Sequence, residues 1–229
     1  MVKKTFQIAI DGPVAAGKGT VAKLVSGRLG FLYVDTGAMY RGSAYYAMKN
    51  GIDWTNQKQV EMLIENDQPL MELRIPKDEM RDGRLCTLLL NNEDVSWKIR
   101  TEEVSKASSP VAQYPKVREY VNKLARKIAG EQDVVMEGRD ITGVVLPNAN
   151  LKIYMNAEPM ERAKRRHKEL MMRGEDIAIE NVYRELMERD KRDMERNLKV
   201  VPGVWVLDTT KMTIEEVVNT IIKKVEEIK

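Results

Sequence analysis

Gly12, Gly17, Lys18 and Thr20 stand in the pattern G-x-x-x-x-G-K-G-T. Each residue type has a physical use there. Glycines let backbone N–H groups turn inward around an oxyanion. A helix starting at the lysine aims its N-terminus at the same anion. Lys18 can reach the outer oxygens, and a hydroxyl can hold a divalent cation. The usual pattern has Ser or Thr directly after the lysine; here Gly19 intervenes and Thr20 carries the hydroxyl. The chemistry implied is the cradling of a polyphosphate by residues 12–20: Gly12, Pro13, Val14, Ala15, Ala16, Gly17, Lys18, Gly19 and Thr20.

Such a cradle serves kinases, switch GTPases and motors alike. A guanine-specific switch usually carries N-K-x-D, whereas Asn122-Lys123-Leu124-Ala125 lacks the aspartate and falls mid-helix. The chain instead brings paired acids and bases to several places. Asp35-Thr36-Gly37-Ala38-Met39-Tyr40-Arg41 follows one expected strand, and Glu137-Gly138-Arg139-Asp140 follows another. Glu137 is placed to order a metal's water shell. Arg189, Asp193 and Arg196 are spaced i, i+4, i+7 and share a helical face; Arg162, Arg166 and Arg173 share one if their helix is continuous. Joining two anionic substrates needs several guanidinium forks to offset their repulsion.

The elements that must position these residues alternate. Strands are expected at 6–10, 31–34, 133–136, 151–155 and 204–207. Helices are expected at 18–29, 38–49, 57–65, 115–130 (closed by Gly130), 158–174, 178–198 and from Thr213 onward, where Thr213 and Glu216 form a capping box. Strand-helix alternation favours a parallel sheet, whose ligands sit at the carboxyl ends of the strands. Between 70 and 99 the character changes. Partly alternating runs at 70–75, 85–90 and 95–99, with turn signals at Asp82-Gly83 and Asn91-Asn92, suggest a small antiparallel sheet inserted into the α/β chain.

Composition narrows the classes. A net charge of +3 suits an anionic small-molecule substrate without requiring nucleic acid. Cys86 is the single cysteine, so no intrachain disulfide can form and a reduced, cytoplasmic setting is expected. No apolar run approaches membrane-spanning length, and the broken run at the N-terminus does not read as a signal segment. His167 is the single histidine and reads as a surface residue; phosphoryl transfer needs no histidine base.

In order along nearly the whole chain, these motifs resemble those of the bacterial cytidylate kinases, a branch of the nucleoside monophosphate kinases. The resemblance rests on Asp11-Gly12-Pro13 with Gly17-Lys18-Gly19-Thr20, on Asp35 to Arg41, Ser109, Val117-Arg118, Gly138-Arg139-Asp140, Arg189-Asp190, Asp193, Arg196 and Leu207-Asp208-Thr209-Thr210. It implies a three-layer P-loop α/β fold with a central parallel sheet, a nucleotide-binding insert at 67–102 and a helical lid at 158–199. The core would comprise 1–66, 103–157 and 200–229. It implies transfer of phosphate from ATP to CMP or dCMP with Mg²⁺, by a cytoplasmic monomer with no nucleic-acid or membrane partner. The resemblance implies that Lys18, Arg41, Arg139 and Arg196 act on the phosphates and Asp193 with Arg189 on the ribose. Tyr40, with Thr36 in the same motif, would flank the acceptor nucleotide. Ser109, Arg118 and Asp140 would read cytosine; Arg162, Arg166 and Arg173 would belong to the lid; Thr20 would bind the metal, with Glu137 acting through water. Two departures stand out: the family's I-G-T after the G-R-D motif reads Ile141-Thr142-Gly143, and its A-P-L after the last arginine is replaced by 197–202. The alternatives are a P-loop kinase with another acceptor and a non-catalytic nucleotide-binding protein.

Overall fold

The computed structural model describes residues 5–76, 82, 84, 86–172, 174–196 and 198–229. In chain order the elements are β1 (Gln7–Asp11), α1 (Lys18–Leu29), β2 (Leu32–Asp35), α2 (Thr36–Lys49), α3 (Gln57–Asp67), β3 (Met71–Arg74), β4 (Thr87–Leu90) and β5 (Glu93–Asp94). A 3-10 turn (Lys98–Arg100) leads to α4 (Glu102–Val111), α5 (Pro115–Glu131) and β6 (Val134–Gly138). A π-helical turn (Ile141–Val145) precedes β7 (Leu151–Asn156), α6 (Pro159–Met172), α7 (Ile179–Arg196), β8 (Trp205–Asp208) and α8 (Ile214–Ile228). They form two compact units, one of Thr5 with 31–134 and one of 6–30 with 135–229.

In the second unit the strand order is β6-β1-β7-β8. β1 runs parallel to β7, with Ile8 opposite Leu151, and β7 parallel to β8, with Ile153 opposite Trp205. Ile8, Ile10, Met136, Ile153, Met155 and Ile221 are fully buried. This parallel sheet with flanking helices is the architecture that the alternation predicts. α8 opens on the expected capping box, Thr213 and Glu216 each bonding the other's backbone N–H. It packs on α1, where Arg28 forks onto Glu215 with two contacts of 2.7 Å.

In the first unit β3, β4 and β5 form an antiparallel sheet, Met71 facing Leu90 and Leu89 facing Asp94. Asn91 and Asn92 make its turn with φ of +49° and +67°, a conformation asparagine tolerates. Gly42 of α2 permits close approach, since a Cβ there would meet Leu88 Cδ2 at 3.0 Å. The expected Asp82-Gly83 turn lies partly outside the described residues, as does Leu85 at the start of the expected 85–90 run.

Two expectations are corrected and one helix is added. Residues 95–99 do not form a strand: Asp94 Oδ1 accepts from the Ser96 N–H at 3.0 Å and its hydroxyl at 2.6 Å, and this local turn ends the ladder. Gly130 does not close α5, which continues to Glu131 and ends on extended Gln132. Helix α4 was not expected; Thr101 caps it by accepting from the Val104 N–H, with Glu102 and Glu103 in its first turn. No described helix is long and apolar enough to cross a membrane.

Asp35, the last residue of β2, holds the first unit together at a buried point. It caps α2 through the Ala38 N–H at 2.9 Å and pairs with Arg100 at 2.9 Å. Burial alone would raise its carboxyl. The Arg100 and Arg41 guanidiniums and the Ala38 N–H outweigh that and hold it below the ordinary 3.8. A depressed carboxylate stabilises the fold above its unfolded pKa, and that contribution is lost as pH falls through the lower folded value. Asp35→Ala removes the cap and strands Arg100, so it should cost about 3 kcal/mol in urea denaturation at pH 7. The deficit relative to wild type should shrink below pH 4.

Candidate active site

The loop between β1 and α1 has the backbone that its sequence demands. Gly12 adopts φ +151°, and a Cβ there would lie 2.0 Å from the Met155 carbonyl oxygen, so only glycine passes. Ala15 and Gly17 are also left-handed, at +58° and +85°. Gly17 caps α1 without a side-chain acceptor, so the first N–H groups of α1 are directed to whatever anion the loop receives.

Lys18 is only 5% exposed and donates to the Pro13 carbonyl at 2.9 Å, folded back on its own loop. Loss of water lowers its pKa from the ordinary 10.5 to about 7, and the nearby Arg139 charge pushes the same way. The carboxylates of Glu137, Asp11 and Asp193 only partly offset this. Arg139, on the segment after β6, donates from Nε to Asp193 Oδ2 of α7 at 2.7 Å. Two residues assigned by resemblance to different parts of the substrates are thus paired with each other.

The departure at Ile141-Thr142-Gly143 has a structural partner. Asp11, fully buried at the end of β1, accepts from the Ile141 N–H (2.8 Å), the Thr142 N–H (2.8 Å) and the Thr142 hydroxyl (2.6 Å). The π-helical turn is therefore anchored to the strand that carries the phosphate loop. Asp140, just before the turn, is buried. Burial raises the Asp11 carboxyl, with the three hydrogen bonds acting in opposition.

Other expected residues lie as follows. Thr20 is exposed in the first turn of α1, and Glu137 is half-buried in β6. Arg189 and Arg196 are exposed on α7, with Asp193 half-buried between them. Arg166 pairs with Glu169 at 2.8 Å on the surface of α6. Arg162 is not a surface group of that helix: it is 3% exposed and paired with Asp190 at 2.6 Å. Arg173 and Asn197 lie outside the described residues. Sequence reasoning named Asp190 and Asp11 only as motif residues and gave neither a role, because their partners lie far away in the chain.

In the first unit Thr36 is buried at the start of α2, and the Tyr40 hydroxyl donates to Asn122 Oδ1 at 3.4 Å. Arg41 is half-buried one turn on. Gly37 leaves room for it, since a Cβ there would stand 3.0 Å from Asp35 Oδ1 and 3.4 Å from Arg41 Nη1. Ser109 is exposed on α4, and Arg118 on α5 donates to the Ala112 carbonyl at 3.3 Å. Arg100, which pairs with Asp35, had no sequence signal.

The profile of the family described as "Cytidylate kinase" matches residues 8–227. The chain belongs to the cytidylate kinase family. A relative named cytidylate kinase from Bacillus cytotoxicus is 44% identical over 229 residues, covering 98% of this chain and 97% of that one. One of the same name from a Geobacillus strain is 42% identical, covering 99% of both chains. A crystal structure of an uncharacterized protein from Eubacterium ventriosum shares the fold, with a TM-score of 0.54 at 12% identity over 97% of this chain and 99% of that one.

For a member of the cytidylate kinase family the donor set is informative. Among the described residues no cluster of three or more His, Cys, Asp or Glu side chains could hold a metal by itself. The Thr20 hydroxyl and Glu137 carboxylate are hard oxygen donors of the kind magnesium takes when substrate phosphates and water supply its other ligands. Asp11 is the residue whose loss should be felt most locally. Asp11→Ala leaves two buried N–H groups unanswered and should destabilise the protein by about 3 kcal/mol in urea denaturation. Asp11→Asn keeps one acceptor and should cost roughly half as much. Equal stability of all three proteins would remove Asp11 from this role.

Proposed function

We propose that this chain transfers the terminal phosphoryl group of ATP to CMP or dCMP, giving ADP with CDP or dCDP. The observation that carries the reading is the cytidylate kinase match over 8–227. A phosphate oxygen of the acceptor attacks the γ-phosphorus, and the bond from that phosphorus to the β–γ bridging oxygen breaks. The electron pair leaves with ADP, and the step needs no side-chain base. The protein's work is to position like charges and neutralise them.

In this reading the loop from Gly12 to Thr20 holds the ATP phosphates, and Lys18 meets the transferring group. Arg41, Arg139 and Arg196 hold phosphate oxygens. Arg139 would exchange its Asp193 carboxylate for phosphate, releasing Asp193 to the ribose with Arg189. Magnesium, when bound, neutralises phosphate charge; Thr20 would hold it, with Glu137 acting through water. The insert at 67–102 would serve the monophosphate. The segment 158–199, with Arg162, Arg166 and Arg173, would serve as a lid over the core segments 1–66, 103–157 and 200–229. Tyr40 and Thr36 would flank the acceptor. The reading describes a cytoplasmic monomer working on small nucleotides, without nucleic-acid or membrane partners.

Ser109, Arg118 and Asp140 would read the base. Cytosine offers a donor at N4 and an acceptor at N3, and uracil reverses both. A carboxylate or hydroxyl facing N4 and a guanidinium facing N3 favour cytosine. Uracil would set acceptor against acceptor, at about 1–3 kcal/mol.

An ADP-release assay over a panel of monophosphates tests the substrate. CMP and dCMP should exceed UMP in kcat/KM by about tenfold or more, as that mismatch implies, and AMP should be a poorer substrate still. A preference for AMP, or for an acceptor outside the nucleotides, would overturn the reading. Lys18→Ala should lower kcat at least ~10²-fold, the loss typical of one transition-state donor. A change under about fivefold would count against Lys18 as a transition-state contact.

A further inference from the structure

One residue of the phosphate loop is gripped at both of its backbone polar groups. Asp190 Oδ1 of α7 accepts from the Val14 N–H at 3.3 Å, and Arg162 Nη1 of α6 donates to the Val14 carbonyl at 3.0 Å. The same two side chains pair with each other, Arg162 Nη1 to Asp190 Oδ2, at 2.6 Å. Arg162 Nε also donates to the Ala157 carbonyl at 3.0 Å, at the exit of β7. Both side chains are at least nine-tenths buried. Around this grip Val14 and Ala15 pack on an apolar cluster from the two helices, Ala163, Leu170, Val182 and Leu186. Ala15, next in the chain, holds a left-handed backbone that a non-glycine residue keeps only where its surroundings enforce it.

We propose that Arg162 and Asp190 are positioning residues for the donor nucleotide: their ion pair sets the backbone of Val14-Ala15 and couples α6 and α7 to the phosphate loop. The inference rests on the reading of this loop as the ATP site. It assigns no contact between either residue and the nucleotide. A shift of α6 against α7 would separate the two charges or drag Val14 with them, because an unpaired charge at this depth is costly. The loop can therefore hold its cradle only in the helix arrangement that keeps the pair intact. A buried ion pair is poor evidence for stability, and an apolar pair of similar volume often replaces one without loss of fold. That separates positioning from stability.

The test is the double variant Arg162→Met with Asp190→Leu, which keeps the site filled while releasing both backbone groups of Val14. Its melting temperature should stay above that of either single variant, each of which leaves one charge buried and unpaired. KM for ATP should rise at least tenfold while KM for CMP stays within twofold, and calorimetry should show the same weakening toward ADP. A folded double variant with wild-type ADP affinity and ATP KM would overturn the proposal. Should the double variant fail to fold, Asp190→Asn decides. It keeps an acceptor for Val14 but leaves Arg162 uncompensated, and should raise the ATP KM three- to tenfold with the CMP KM unchanged. Equal effects on both substrates, or none, would refute the positioning role. A wild-type protein inactive on CMP would sink the proposed reaction, whereas ADP affinity in the double variant would still decide this point.

Discussion

A lysine charge withdrawn from water at the start of α1 is the constraint around which the donor side is arranged. Lys18 sits at 5% exposure with an arginine charge nearby, and the carboxylates within reach do not fully offset the loss of hydration. Such a group is costly in the resting protein and useful only when an anion arrives. The surrounding geometry serves that condition. Gly12 passes within a hydrogen atom's room of the Met155 carbonyl, and Gly17 starts α1 with its amide groups directed into the loop. The loop is fixed before the phosphate comes, so little reorganisation remains at the moment of reaction.

Two aspartates show how position and environment divide the labour. Asp11 ends β1 and Asp35 ends β2; both are buried, and each receives N–H groups from the segment that follows or lies beside it. Asp11 answers only neutral donors, and burial raises its carboxyl. Asp35 answers Arg100 and Arg41 as well, and its carboxyl is lowered. The same residue at corresponding strand ends thus anchors a neutral turn in one unit and organises charge in the other.

Local chemistry was legible in the sequence; pairing across distance was not. The glycine loop, the parallel strands, the Thr213 capping box and the Asn91-Asn92 turn follow from residue types a few positions apart. The end of the ladder at Asp94 turned on one serine side chain, and α4 was marked only by a threonine cap and three small apolar residues, Val104, Ala107 and Val111. Arg162 looked like one more cation on a charged helix. Its burial depends on Asp190, 28 positions later, and on Val14, 148 positions earlier, which no local pattern encodes. The pairing of Arg139 with Asp193 is of the same kind. The family resemblance supplied roles for individual residues, but not which of them hold one another before substrate binds.

The central claim is that Lys18 is held at an energetic disadvantage that a polyphosphate relieves. Its most direct test is the melting temperature of wild type and Lys18→Met, with and without saturating ATP and magnesium. Free of ligand, Lys18→Met should melt above wild type. The gap should be widest below pH 7 and narrow as pH climbs toward 10.5, because a lysine with a depressed folded pKa takes up fewer protons than the unfolded chain across that span. With nucleotide the order should reverse, since only the charged side chain gains from the phosphates. A variant that melts below wild type without ligand, and gains as much from ATP, would contradict the account.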